Sequence, residues 1–227
     1  MLLNQKYEYK KLKRVETNGT RLYETPVSPN PVPSVTTVLD STKDKTFLIE
    51  WRKRVGDAEA TRISTESAGL GTLMHTHLEN YVLGIPRPAG NNLVQQMATA
   101  MADVMINEAF PNVTEVWGIE ASLYYPDLYA GTTDMVGLWQ NKPAIIDHKT
   151  SKKLKKKEWI EDYFLQCCAY ALAHNEVHGT DIKTAAINII VRPDDTTPPV
   201  LQSFVIEGAE FDHYANMWAE RLSNYYA

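Results

Sequence analysis

Two short stretches hold the residue types and spacing for chemistry. Gly131-Thr132-Thr133-Asp134 lies on one apolar strand pattern, and Ile145-Ile146-Asp147-His148-Lys149 closes the next. Hydrolysing a phosphodiester requires neutralising charge on the non-bridging oxygens, supplying hydroxide near neutral pH and stabilising the leaving alkoxide. Carboxylates holding a hard divalent cation meet all three needs. With Gln140-Asn141 as a two-residue turn, Asp134 falls directly opposite Asp147, and opposed residues share a face. Two facing aspartates repel unless a cation lies between them, which points to Mg²⁺, with Mn²⁺ as substitute, rather than zinc. Pro143 is the residue most able to disturb that register.

On this reading Asp134 and Asp147 are the central metal ligands. The strand period turns the His148 side chain to the other face and leaves its backbone carbonyl as a further ligand. Lys149, two residues beyond Asp147, orients or helps deprotonate the attacking water, or stabilises the charge that builds on phosphorus.

Other elements must bring the remaining groups. Gly71-Thr72-Leu73-Met74-His75-Thr76-His77-Leu78-Glu79 has a helical pattern from Gly69 to Leu83, with His75 and Glu79 four apart on one face and His77 directed elsewhere. His75 is expected to complete the metal shell, and Glu79 or Glu120 to bind a second ion or order water. In the helix Glu158–His174, Gln166 and Tyr170 are four apart and can position the scissile phosphate or a neighbouring nucleotide. Its apolar stripe is Trp159, Ile160, Tyr163, Phe164, Cys167 and Ala171.

The rest of the chain supplies scaffold. Asn18-Gly19 between Val15-Thr17 and Thr20-Tyr23 predicts a hairpin, followed by an extended connector from Pro26 to Pro33. Ser34 opens a helical region that runs with breaks to Ile63. Hydroxyls at its start, Ser34 and Thr36 among them, could hold a phosphate on free amides, although capping alone accounts for Ser34 and Thr37. Leu93–Phe110 predicts a helix with Val94, Met97, Met101, Val104, Met105 and Phe110 inward; Val113–Leu123, Tyr129–Trp139, Ala144–Lys149, Thr184–Val191 and Val200–Ile206 predict strands. Arg192–Asp195 predicts a strand-closing turn, and Glu210–Tyr226 a last amphipathic helix.

These elements fit one α/β domain. Residues 1–33 form a β-ribbon and Pro-rich connector, and 34–227 a main domain with a helical part (34–110) and a catalytic core (111–227). With 28 acidic against 23 basic residues, the net charge of −5 argues against coating nucleic acid by bulk electrostatics. A dense basic run nevertheless follows the proposed catalytic strand: Lys149, Lys152, Lys153, Lys155, Lys156 and Lys157. Beside a phosphodiester site, Thr150, Ser151, Lys152 and Lys153 are expected to touch DNA. The adjacent Cys167 and Cys168 cannot bridge distant strands and read as helix packing. No run is apolar and long enough for a membrane span, and the start lacks a signal-peptide core, so a soluble cytoplasmic protein of a bacterial or phage setting is expected.

Taken in order, the motifs Pro33-Ser34-Val35-Thr36-Thr37-Val38-Leu39, Gly71-x-x-x-His75-x-x-x-Glu79, Glu120, Gly131-Thr132-Thr133-Asp134, Asp147-His148-Lys149-Thr150 and Gln166-x-x-x-Tyr170 resemble the PD-(D/E)xK nucleases of the RecB-like exonuclease branch. The resemblance spans about Arg21 to Ala173. It implies a restriction-endonuclease-like central mixed sheet flanked by helices, and a Mg²⁺-dependent exonuclease acting on DNA ends. Preference for single strands and a helical arch over the site are implied with it, together with a role in replication, repair or recombination alongside proteins of those processes. The chain has no P-loop, so no ATP-driven unwinding is expected. The alternatives are a structure-selective or site-specific endonuclease of the same fold and a catalytically silent DNA-end-binding protein.

Overall fold

The computed structural model describes residues 2–192 and 197–227. At its centre lie strands β1 (Leu2–Leu3), β5 (Val113–Tyr125), β6 (Tyr129–Trp139), β7 (Lys142–Ser151), β8 (Thr184–Val191) and β9 (Val200–Glu207), hydrogen-bonded in the order β1-β5-β6-β7-β8-β9. β1 pairs parallel to β5 and β7 parallel to β8, while the other neighbours are antiparallel. The parallel pair β7 and β8 needs a crossover, and helix α5 (Glu161–His178) supplies it. The result is the α/β mixed sheet expected.

Period-two alternation feeds two cores. Ile145, Ile187 and Val136 pack under α5, helix α1 (Val35–Thr42) and helix α6 (Ala209–Tyr226), together with Phe164 and Trp218. Ile146, Ala186 and Met135 pack on the other side with Met74 and Met101 of helices α3 (Asp57–Leu83) and α4 (Leu93–Val104). β8 is buried along its whole length, as a strand covered on both faces must be. Cys167 and Cys168 are free, buried packing residues of α5.

A second sheet is the N-terminal ribbon of β2 (Lys13–Thr17), β3 (Thr20–Glu24) and β4 (Val32–Pro33). Asn18 (φ 52°) and Gly19 (φ 75°) make its turn, as predicted. The extended connector is therefore only partly free, because Val32 and Pro33 pair with β3. Leu12, Tyr23 and Val32 form a small core with Ala130 of β6, and Ser34 bridges to the same residue.

Several boundaries differ from the sequence reading. The helix expected from Gly69 begins at Asp57, because nothing before Leu83 breaks it. Gly69 and Gly71 weaken a helix by about 1 kcal/mol each without ending it. It stops at Gly84, which takes the left-handed conformation (φ 67°). The Leu93–Phe110 helix widens after Val104 into one π turn and then tightens into a 3₁₀ turn carrying Pro111. Its Val94 is exposed rather than inward. α5 starts three residues later than expected, after a 3₁₀ turn, which leaves Trp159 62% exposed instead of in the stripe. The expected turn Arg192–Asp195 falls mostly outside the described residues. Between α1 and α3 lies helix α2 (Thr46–Val55), which has no buried residue and exposes Phe47, Leu48 and Ile49 beside Arg52, Lys53 and Arg54. No described helix is long and apolar enough to cross a membrane.

Candidate active site

The site forms where the central ladder opens. Gln140 (φ 49°) and Asn141 (φ 66°) make the turn between β6 and β7, and the register runs from Trp139↔Lys142 to Met135↔Ile146, as expected. Pro143 does not disturb it. Opposite Leu138 it occupies a non-hydrogen-bonded position, where a missing N–H costs the ladder nothing. Beyond Met135 and Ile146 the strands part, and β7 continues on β8 with Asp147 beside Ile187 and Lys149 beside Ile189. The amide of His148 then donates to Asp134 Oδ2 at 2.7 Å in place of a ladder bond.

On the other side of β6, the pairs Ile119↔Met135 and Ala121↔Thr133 bracket Glu120 opposite Asp134. Glu120 has φ 46°, a left-handed conformation unusual for a non-glycine inside a strand and of a kind held at functional sites at about 1–3 kcal/mol. His75 reaches both acids from α3, its Nδ1 being 3.5 Å from Asp134 Oδ1 and 3.9 Å from Glu120 Oε1. One donor atom from each of His75, Glu120 and Asp134 lies within 4.8 Å of the others.

Behind this trio is a second charged pair. Asp147 is 2% exposed, and Lys149 Nζ sits 2.7 Å from each of its carboxylate oxygens. Burial pushes the Asp147 carboxyl up to about 6, with Lys149 opposing and Asp134 reinforcing the shift. Burial would lower the Lys149 pKa, but Asp147 and Asp134 outweigh it and hold the ammonium well above the usual lysine range. Asp134 stays below the ordinary carboxylate range because His75, Lys149 and His148 overcome its burial. The Glu120 carboxyl is pushed up to about 7, first by desolvation and then by the Asp134 charge. This mutual repulsion is what a bound cation relieves, and two carboxylates with one imidazole suit a divalent ion.

The remaining expected residues fall around this centre. The His148 ring turns to the α3 face against Phe110 and His75, with ring centroids 5.5 and 6.4 Å away; among the described residues neither nitrogen has a hydrogen-bond partner, and burial depresses its pKa to about 4. Glu79 lies further along α3 on the cleft wall. His77 is buried away from the site, between Arg87 and Thr99. On the α5 face, Gln166 Nε2 donates to the Tyr170 hydroxyl at 3.3 Å. A Cβ on Gly131 would come within 2.8 Å of the Tyr170 ring, so the glycine of Gly-Thr-Thr-Asp makes room for that tyrosine.

Ser34 is buried, and its hydroxyl is spent on the Thr37 amide and on the hydroxyls of Thr36 and Thr37. Thr150 lines the main cleft, of about 990 Å³. Ser151 and Lys152 line a side pocket of about 200 Å³ that shares Ser67 and Thr150 with it. Ser151 also holds the next turn through its bonds to Lys153, whose side chain is exposed. Missed from the sequence was the second wall of the cleft, to which the N-terminal ribbon contributes Leu12 and Tyr23. Hairpin alternation alone gave no sign of where the ribbon would dock.

Strand order, fork and charged residues together are similar to the arrangement expected from the PD-(D/E)xK motifs. No family model matches the chain. Over 205 residues it is 25% identical to mitochondrial genome maintenance exonuclease 1 of Xenopus tropicalis, covering 86% of this chain and 57% of that protein. The Homo sapiens protein of the same name is 26% identical over 211 residues, covering 88% and 60%. The chain thus spans less than two thirds of the curated relatives it matches, and the resemblance read from the motifs is borne out. Among solved structures, a provisionally named exonuclease from Eubacterium rectale aligns over 70% of this chain and 64% of that one, at 11% identity and a TM-score of 0.49.

Proposed function

We propose that the chain is a Mg²⁺-dependent DNA exonuclease, with Mn²⁺ as a working substitute, that hydrolyses phosphodiester bonds from free ends and prefers single strands. The observation that carries this reading is the convergence of His75, Glu120 and Asp134 beside the buried Asp147–Lys149 pair. His75, Glu120 and Asp134 would hold the ion, with Asp147 and the His148 carbonyl adjoining it at the fork. When bound, the cation supplies charge neutralisation at the phosphate and activation of water.

The chain's own groups do the rest. Lys149, held protonated by Asp147, is a poor base and a good electrostatic partner, so it stabilises negative charge building on the phosphate or orients the attacking water. Tyr163 lies under its ammonium, 5.2 Å from ring centroid to Nζ, and helps fix its direction. Gln166 and Tyr170 order the α5 side of the fork and position the scissile nucleotide. α2 supports the single-strand preference, since it presents an exposed Phe47 for base stacking and, with Arg52 tied to Asp57, the exposed cations Lys53 and Arg54 for the backbone. Thr150, Ser151, Lys152 and Lys153 extend the cationic track beyond the fork. In this reading the protein works in replication, repair or recombination.

The test uses end-labelled linear single- and double-stranded DNA and a closed single-stranded circle, incubated with Mg²⁺, with chelator, and with the Asp147→Ala variant. Degradation of linear single strands in Mg²⁺ alone, with the circle spared, is expected. Cleavage that survives chelation overturns the metal requirement, and cutting of the circle replaces end-dependence with endonuclease action. DNA binding without any cleavage returns the silent end-binding reading.

A further inference from the structure

Two cations of the N-terminal segment line the same cleft as the acid cluster. Lys11 and Arg14 both line the cleft that contains His75, Glu120 and Asp134. Both are exposed, and among the described residues neither has a carboxylate partner, whereas Lys13 between them is tied to Glu24 at 2.8 Å. Their mounting is firm on both sides. The Tyr9 ring lies where a Cβ of Gly118 would come within 2.4 Å of it, and its hydroxyl is hydrogen-bonded to His174 at 2.9 Å. The Leu12 amide donates to Ser122 Oγ at 3.4 Å, and the Leu12 side chain is buried with Tyr23 and Val32.

Cations without carboxylate partners among the described residues, lining one cleft with a carboxylate cluster, suit a polyanion that runs through it. A guanidinium can take a phosphate in two parallel hydrogen bonds, and an ammonium takes one as a point charge. We infer that Lys11 and Arg14 grip backbone phosphates of a polynucleotide strand flanking the one at the acid cluster, so that the ribbon is a wall of the substrate channel. This rests on the nuclease reading only for the identity of the strand. The grip is electrostatic and independent of base sequence.

The test measures binding of a fluorescent single-stranded oligonucleotide in calcium buffer across a range of salt, and cleavage separately in Mg²⁺. The combined Lys11→Ala, Arg14→Ala variant is expected to bind roughly ten-fold more weakly near 0.1 M salt, with a log–log salt slope shallower by about 1.4, since each phosphate left without its cation accounts for about 0.7. Its thermal midpoint should match wild type, and Lys11→Arg with Arg14→Lys should restore the slope. Lys13→Ala, which removes a cation already paired outside the cleft, should leave the slope unchanged. A slope for the double alanine variant equal to wild type overturns the inference even if wild type cleaves DNA. Wild type that binds through these residues but cuts nothing sinks the nuclease reading and leaves the grip standing.

Discussion

The backbone amide of His148 donates to the Asp134 carboxylate at 2.7 Å across the point where β6 and β7 separate. One oxygen of Asp134 is thereby committed to holding the fork, while the other faces His75 at 3.5 Å. The fork and the proposed metal site are one construction.

Asp134→Asn tests this division of labour. The amide oxygen can still accept from His148, so the fold should survive, but the anionic donor is gone. Nuclease activity should fall by about 10²–10³-fold, the order seen when a preorganised charge partner is removed. Addition of Mg²⁺ at about a hundred times its Kd should stabilise wild type by about 2.7 kcal/mol and raise its Tm by several degrees. Thermal melts of Asp134→Asn with and without Mg²⁺ should coincide; a full Mg²⁺ shift in the variant would move the ion elsewhere.

His148 gives an opposite expectation. His148 is 2% exposed, and among the described residues neither ring nitrogen has a hydrogen-bond partner, so the neutral imidazole carries uncompensated polar atoms. His148→Phe should leave stability unchanged or raise it by about 1 kcal/mol, worth roughly 2–4 °C in Tm for a chain of this size. A marked loss in the metal-free melt would show that the ring has a polar partner.

Acid stability should be set partly far from the site. Under the ribbon, the Tyr9 hydroxyl and Thr180 Oγ1 lie 2.9 and 2.7 Å from the two His174 nitrogens, and burial, with His178 adding, lowers the His174 pKa from 6.5 to about 3. A base whose folded pKa is depressed contributes its full stability above the unfolded value, and loses it as pH falls from 6.5 towards 3. Tm should therefore drop across that window, and His174→Asn should flatten the profile there. Parallel profiles for the two proteins would place the acid sensitivity elsewhere.

Much of the fork was legible because short-range rules control it. A two-residue turn at Gln140-Asn141 sets the register, and period two then puts Asp147 and Lys149 on one face and His148 on the other. His75 was readable as a helical partner because one helix face carries it with Glu79. Illegible were features made by contacts distant in sequence. Glu120 meets Asp134 in a ladder that carries two register shifts, and no local pattern announces its φ of 46°. Gly131 is plain as a motif residue, but its reason, the Tyr170 ring, comes from a helix beyond the next strand. α3 runs unbroken through Gly69 and Gly71, and the ribbon's place beside the acid cluster depends on Leu12 finding Ala130.

The Asp147–Lys149 pair separates stability from chemistry. Lys149→Met leaves a buried carboxylate whose nearest cation is gone, and breaking such a pair typically costs 3–5 kcal/mol. Lys149 is itself 23% exposed at its side chain, so the lower end, about 3 kcal/mol, is expected. The loss should shrink if Asp147 is neutralised at the same time, because the variant Asp147→Asn with Lys149→Met buries no lone charge. Denaturant melts of the two single variants and the double should show a coupling of about 1 kcal/mol or more, as contacting residues do. Activity should not follow stability. Lys149→Met should lose turnover while keeping most of its DNA affinity, and the double variant, though restored in stability, should stay inactive. If the double variant recovered cleavage along with its melt, Lys149 would be a structural counter-ion and the charge on phosphorus would need another partner.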